Sequence, residues 1–179
     1  WRLIYGSALG AHRNGNFIMY DDDIDVAISH RDLMRLGKTV ESQRKQVNSI
    51  AKKYGFVRRI WSDGTSLNPS TKTKDGKEMP LAYQMRHYLK GLNIDLSILY
   101  EDDDKHVIFT SRGKAYLYPL EEPVYVTLAG KTFPSYSTRL LEKYYGPKWR
   151  TPIPREHPDY YEAEPDQIKL REEWFIPKK

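Results

Sequence analysis

The sequence predicts an α+β domain that ends in an irregular, Pro-rich C-terminal wrap. Three observations carry this. "DIDVAIS" at 23–29 and "NIDLSIL" at 93–99 alternate apolar and polar residues at the strand period, each with a carboxylate on its polar face. A long stretch of helical periodicity separates them. Short alternating runs with Gly turns then continue to Pro147, after which Pro and aromatic residues dominate.

The 179 residues suit one domain with a full-sized core, assigned to 1–155, and a C-terminal extension over 156–179. A composition of 39% hydrophobic and 30% charged residues is that of a soluble globular chain. Lys and Arg exceed Asp and Glu by 29 to 24, which favours anionic partners without choosing among phosphates, nucleic acid and an anionic membrane surface. The absence of cysteine excludes disulfides, thiol nucleophiles and cysteine-held zinc, and fits a reducing compartment. No run approaches the roughly 18 apolar residues of a membrane span, and no signal peptide is visible. The opening "WRLIYGS" reads as the end of an element, so an upstream helix or anchor is expected before it.

Taken in order, Gly6-Ser7 starts a short helix, "SALGAHR", and Asn14-Gly15 ends it. In "DIDVAIS", Ile24, Val26 and Ile28 share one face, and Asp23, Asp25 and Ala27 the other. Ser29-His30-Arg31-Asp32 has the form of a capping box. It predicts one helix to about Tyr54, with Leu33, Leu36, Val40, Val47, Ile50 and Tyr54 at helical spacing and Gly55 as its stop. "FVRRIW" reads as a strand and residues 62–79 as a long polar loop. "LAYQMRHYL" and "LNIDLSILY" are strands joined around Lys90-Gly91, with Ile94, Leu96 and Ile98 on one face and Asn93, Asp95 and Ser97 on the other. "HVIFTS" and "AYLYP" read as outer strands, "PVYVTLAGKTFP" as a hairpin about Ala129-Gly130, and "YSTRLLEKYYG" as a short amphipathic helix.

These pieces form a chemical constellation. A Gly-Ser turn opens a helix whose free N–H groups and dipole suit a phosphate. Asp23 and Asp25 share a strand face, and Asp95 is expected to converge on it. Ionised carboxylates about 4 Å apart repel by roughly 4 kcal/mol at an effective dielectric near 20, so such crowding calls for solvent or a cation. All-oxygen ligation favours Mg²⁺ or Mn²⁺. Metal beside a phosphate anchor is the equipment for displacement at phosphorus. An Asp-x-Asp pair alone more often caps a turn or faces solvent, as "EDDDK" at 101–105 does, and Asp102, Asp103 and Asp104 are assigned no role. Asp21 and Asp22 are either a polar lead-in to the strand or assistants to the metal. The order of Gly-Ser, Asp-Ile-Asp-Val, long helix and Asn-Ile-Asp-Leu is far more specific than any one part.

"YGSALGAHRNGNFIMYDDDIDVAI" resembles the signature of the LicD family, the bacterial phosphocholine transferases and fukutin-type proteins. Gly6, Ser7, Leu9, Gly10, Ala11, Arg13, Gly15, Phe17, Ile18 and Asp21 to Asp25 match its pattern; Ala8, Asn16 and Met19-Tyr20 depart from it. "YSTRLLEKYYGPKWRTPIP" resembles the family's ending, so the likeness spans most of residues 5–154. It implies a nucleotidyltransferase fold of the DNA polymerase β type, a mixed sheet flanked by helices. It implies that Gly6 and Ser7 contact donor phosphate, that Asp23, Asp25 and Asp95 bind metal, and that one of these accepts the proton of the attacking hydroxyl. Arg13 matches a family position within reach of phosphate, with an ion pair to Asp21 or Asp22 as the alternative.

The implied reaction moves a phospho-alcohol from a CDP-linked donor, CDP-choline or a CDP-polyol, to a glycan hydroxyl. The acceptor would be teichoic acid, lipopolysaccharide or a glycoprotein glycan. A nucleotidyltransferase placing a nucleoside monophosphate on a small molecule or protein would use the same residues. A non-enzymatic module for anionic glycan or nucleic acid ranks last, because Lys and Arg are scattered among acids instead of clustered. The compartment is expected to be a bacterial cytoplasm, with peripheral membrane association allowed, or alternatively the Golgi lumen. Among secondary residues, His12 reads as solvent-facing, and Lys131 and Arg139 as phosphate neutralisers or simply exposed basic residues. Strand parity admits one of Arg86 and His87 to the site. Tyr144, Tyr145 and Trp149 read as core packing of the last helix ahead of stacking on a base or sugar, and Lys72 to Lys77 as a lid or a solvated loop.

Overall fold

The computed structural model describes residues 1–19, 21–58, 70–72, 78–80, 82–87, 89–101, 106–111 and 114–152. The opening stretch is strand β1 (Arg2–Leu3), followed by helix α1 (Tyr5–Asn14). Gly15 ends α1 in the left-handed conformation and returns its N–H to the Ala11 carbonyl at 3.1 Å. A Cβ at Gly10 would lie 2.4 Å from the backbone oxygen of Asn16, so only glycine lets the chain fold back over the helix here.

Strand β2 (Asp23–Ser29) leads directly into helix α2 (His30–Met34), with Ser29 Oγ accepting the Asp32 N–H as the capping motif predicts. The single helix expected to Tyr54 is instead two. Helix α3 (Val40–Lys53) starts afresh because Thr39 and Ser42 form their own reciprocal capping box, with Thr39 Oγ1 accepting from Ser42 N at 3.1 Å and Ser42 Oγ accepting from Thr39 N at 3.0 Å. The restart resets the buried face. Gln43, Val47 and Ala51 turn inward, while Ile50 and Tyr54 are 44% and 71% exposed.

Strand β3 (Phe56–Arg58) covers the start of "FVRRIW"; residues 59–61 lie outside the described ones. The loop expected over 62–79 contains β4 (Ser70–Lys72) and β5 (Glu78–Pro80), paired antiparallel. The rest of that stretch, most of the basic segment at 72–77 included, is not among the described residues. Next come β6 (Ala82–His87), β7 (Asn93–Glu101), β8 (His106–Ser111) and β9 (Lys114–Pro119). β10 (Val124–Leu128) and β11 (Lys131–Ser135) form the expected hairpin. Its turn has positive φ at both Ala129 (50°) and Gly130 (76°), the twist that two-residue hairpins favour. Helix α4 (Thr138–Tyr145) closes the described core. Residues 102–105, and 153–179 with most of the Pro-rich wrap and the whole extension, are not described.

Seven strands run in the order β10-β11-β1-β2-β7-β6-β3, with β8 and β9 continuing from the end of β7. The sheet is mixed, since β2 and β7 are parallel and β6 is antiparallel to β7. Helices cover both faces. Leu33, Val47 and Ala51 pack with Tyr83, Met85, Ile98 and Tyr100 on one side. Ile4, Ala27, Leu99, Tyr136 and Leu140 fill the other, and Leu3, Leu9, Leu141 and Trp149 form a third cluster. The even residues of β7 therefore face α3, and the odd ones, Asp95 among them, face α1 and α4. β2 keeps this alternation at Ala27 and Ile28, and Val26, pointing away from the Ala27 face, packs in the third cluster beside Leu3, its cross-strand partner.

Candidate metal centre

The start of α1 is built onto β2. Ile4 N–H donates to the Asp25 carbonyl at 3.2 Å, and Asp25 N–H donates to Ser7 Oγ at 2.9 Å. Gly6 N–H then donates to Asp25 Oδ2 at 3.1 Å. Ser7 is thus a buried hydroxyl committed to the strand, and Gly6 aims a first-turn amide at a carboxylate. Tyr5, at φ 42°, is the residue whose unusual backbone begins this turn, and its ring lies 5.0 Å from that of Tyr144.

A Cβ at Gly6 would stand 2.3 Å from Asp21 Oδ2 and 3.2 Å from Asp25 Oδ2. The missing side chain is what admits both carboxylates to one place. Asp21, Asp23 and Asp25, all partly buried, offer ligand oxygens within 4.8 Å of one another. The Asp25 carboxyl is pushed well above the ordinary carboxylate range, first by burial and then by the charges of Asp23, Asp21 and Asp95; the Gly6 N–H opposes this without cancelling it. Negative charge is therefore concentrated beyond what local donors offset. Hard oxygen ligands so arranged can hold a divalent cation of the Mg²⁺ or Mn²⁺ type.

The other predicted residues fall around this group. Asp95 stands directly opposite Asp25 in the β2–β7 register, with Oδ2 accepting from Gln84 Nε2, and it lies outside the tightest set of three. Asp22 is exposed and ties the strands together, its carbonyl accepting Asn93 N at 3.3 Å and Nδ2 at 3.2 Å. Arg13 sits seven residues past Gly6, about 10 Å along the helix axis. Its Nε donates to the Trp149 carbonyl and its Nη2 to the Thr151 carbonyl at 3.2 Å. His12 is partly buried rather than solvent-facing, with Nε2 2.8 Å from the Tyr136 carbonyl. Trp149 is core, 2% exposed, and Tyr145 packs against its cluster. Lys131 and Arg139 are exposed.

Register settles the parity of β6. Gln84 pairs with Asp95 and Arg86 with Asn93, so Arg86 shares the carboxylate face, while the His87 ring packs edge-on to Phe56 at 5.0 Å. Gln84 escaped the sequence reading. The alternation in "YQMR" is visible in the chain, but it singles out Gln84 only once its cross-strand neighbour is known.

A model of the LicD/FKTN/FKRP nucleotidyltransferase domain matches residues 1–122, which contain the whole acidic group and Gln84. The likeness of residues 136–154 to the family's ending lies beyond that match. No curated protein matches the chain in sequence. Among solved structures, it is similar to the lincosamide antibiotic adenylyltransferase LnuA, lincomycin-bound, at 14% identity and a TM-score of 0.39. That alignment covers 74% of this chain and 65% of the adenylyltransferase chain.

Proposed function

The chain belongs to the LicD/FKTN/FKRP family, and from that membership we propose that it is a metal-dependent phosphotransferase. The donor in this reading is a CDP-linked alcohol, CDP-choline or a CDP-polyol. The acceptor is a hydroxyl of a cell-surface glycan: teichoic acid, lipopolysaccharide or a glycoprotein glycan. We assign the activity to residues 1–155, as a nucleotidyltransferase fold of the polymerase β type, with 156–179 as an extension. The observation that carries the reading is the convergence of Asp21, Asp23 and Asp25 on the first turn of α1.

Asp23 and Asp25, with Asp95 and with Asp21 and Asp22 alongside, are the residues that would hold the cation. Mg²⁺ or Mn²⁺ held there would supply neutralisation of phosphate oxygens and of the leaving oxygen. The remaining work is the chain's own. The first turn of α1, at Gly6 and Ser7, would contact donor phosphate, whereas Arg13, bound to the Trp149 and Thr151 carbonyls, holds the far end of the helix. An aspartate of the group takes the proton from the acceptor hydroxyl. The acceptor oxygen forms its bond to the phosphorus nearer the alcohol, the bond to the bridging oxygen breaks, and CMP leaves. Among the described residues no helix is long and apolar enough to cross a membrane.

The test is thermal stability with Mg²⁺ or Mn²⁺ and each of CDP-choline, CDP-ribitol, CDP-glycerol, CTP and ATP, with Asp25→Asn alongside. A ligand at 100 times its dissociation constant adds about 2.7 kcal/mol. Metal-dependent stabilisation by one CDP-alcohol, with CMP released on adding acceptor, is expected. A response to CTP or ATP alone, with pyrophosphate released, would replace this reading with nucleotidyl transfer. Silence towards every metal and nucleotide would refute both.

A further inference from the structure

Three adjacent strands place their side chains in cross-strand rows on the face that carries the acids. The parallel register of β2 with β7 sets Asp25 beside Asp95, and the antiparallel register of β6 with β7 sets Gln84 on the other side of Asp95. The neighbouring row reads Asp23, Asn93, Arg86. Across this face charge changes in one direction: β2 contributes carboxylates, and β6 contributes hydrogen-bond donors. The intervening residues of β6, Tyr83 and Met85, are buried in the core on the α3 side, so Gln84 is held to the acid face by its neighbours.

We propose that Gln84 is the positioning residue of Asp95, fixing that carboxylate for the cation site. The inference rests on the metal reading above and deepens it. Gln84 Nε2 donates to Asp95 Oδ2, which fixes the plane of the carboxylate. Adjacent strands lie about 4.8 Å apart, so an untethered Asp95 would rotate away from the like charge of Asp25. The amide prevents this without adding charge. A lysine or arginine at position 84 would pair with Asp95 and compete with the cation, whereas a neutral donor leaves the full negative charge available. Hydrogen-bond partners of ligating carboxylates typically carry a factor of 10 to 100 in metal affinity, although they touch no metal themselves.

The test is Mn²⁺ binding by calorimetry on the full chain, with the metal-free melting temperature recorded for each protein. Gln84→Leu removes the donor while keeping an apolar body of similar size; Gln84→Met, closer in length, stands in if Leu does not fold. Each is compared with Asp95→Asn and with the double variant, which isolates the pairwise term. We expect Mn²⁺ to bind about 10-fold more weakly to Gln84→Leu, with the metal-free melting temperature nearly unchanged. In the Asp95→Asn background the same substitution should cost nothing further. Unchanged Mn²⁺ affinity in Gln84→Leu overturns the proposal, as does an equal loss in both backgrounds, because Gln84 would then not act through Asp95. Wild-type protein that binds no Mn²⁺ overturns the metal reading and this inference together. Wild type that binds while Gln84→Leu binds equally well overturns this inference alone.

Discussion

The Ser7 hydroxyl accepts the backbone N–H of Asp25 at 2.9 Å, locking the first turn of α1 to the strand that carries the acids. Ser7 is 1% exposed, so water cannot replace it. Ser7→Ala strands a buried donor, and the expected cost is about 1–3 kcal/mol of stability, read by chemical denaturation. An unchanged midpoint and slope would mean that the helix-to-strand lock is dispensable.

Gly6→Ala separates site from fold. The new methyl collides with the tip of Asp21, a flexible side chain that can move, and Gly6 has no left-handed backbone for an alanine to strain. Metal-free stability should hold or rise, and Mn²⁺ affinity should fall, measured on the same samples. A variant that binds Mn²⁺ as wild type does would show that Asp21 is not needed by the cation.

The pH dependence follows from Asp25, whose carboxyl is raised in the folded state by burial and by three neighbouring carboxylates. The folded state therefore holds this proton more tightly than the unfolded chain, where the group titrates near about 3.9. Its contribution to stability is fully present below that pH and is lost as pH rises through the folded value. In chelator, Asp25→Asn should melt higher than wild type at neutral pH and show a flatter profile from about pH 4 upward. Added Mg²⁺ should narrow the gap by stabilising wild type alone. Parallel pH profiles for the two proteins would contradict the assigned electrostatics.

At its far end α1 is tied to the last described turn through Arg13 and the carbonyls of Trp149 and Thr151. Arg13→Ala should lower the melting temperature and leave Mn²⁺ affinity within about twofold, because this contact lies about 10 Å along the helix from Gly6. Trp149→Ala, which empties a buried indole site, should cost about 3–5 kcal/mol by denaturant titration. A large Mn²⁺ defect in Arg13→Ala with normal stability would instead place Arg13 in the site.

The strands bearing Asp25 and Asp95 were legible because their signal is local: an alternation of period two with one buried face. The same holds for the turns at Gly15 and Ala129-Gly130, where backbone sterics leave few choices. The break between α2 and α3 was missed because hydrophobic spacing runs through it. The Thr39–Ser42 box, which weighs little as a motif, restarts the helix with its buried face on Val47 and Ala51. The β4–β5 pair was also missed, since strands of three residues are too short to show a period.

The sequence by itself determined which residues are the candidates for chemistry here. Gly6, Ser7 and the aspartates around Ile24 form one short motif, and motif chemistry depends on residue type and spacing. Only the tertiary structure decided which carboxylates meet. The gap left by Gly6 brings Asp21 to Asp25, the parallel register of β2 and β7 places Asp95 beside Asp25, and β6 delivers Gln84 from the opposite direction. Those approaches depend on strand order and register, which arise from burying both faces of a sheet at once and leave no trace in any single segment of the chain.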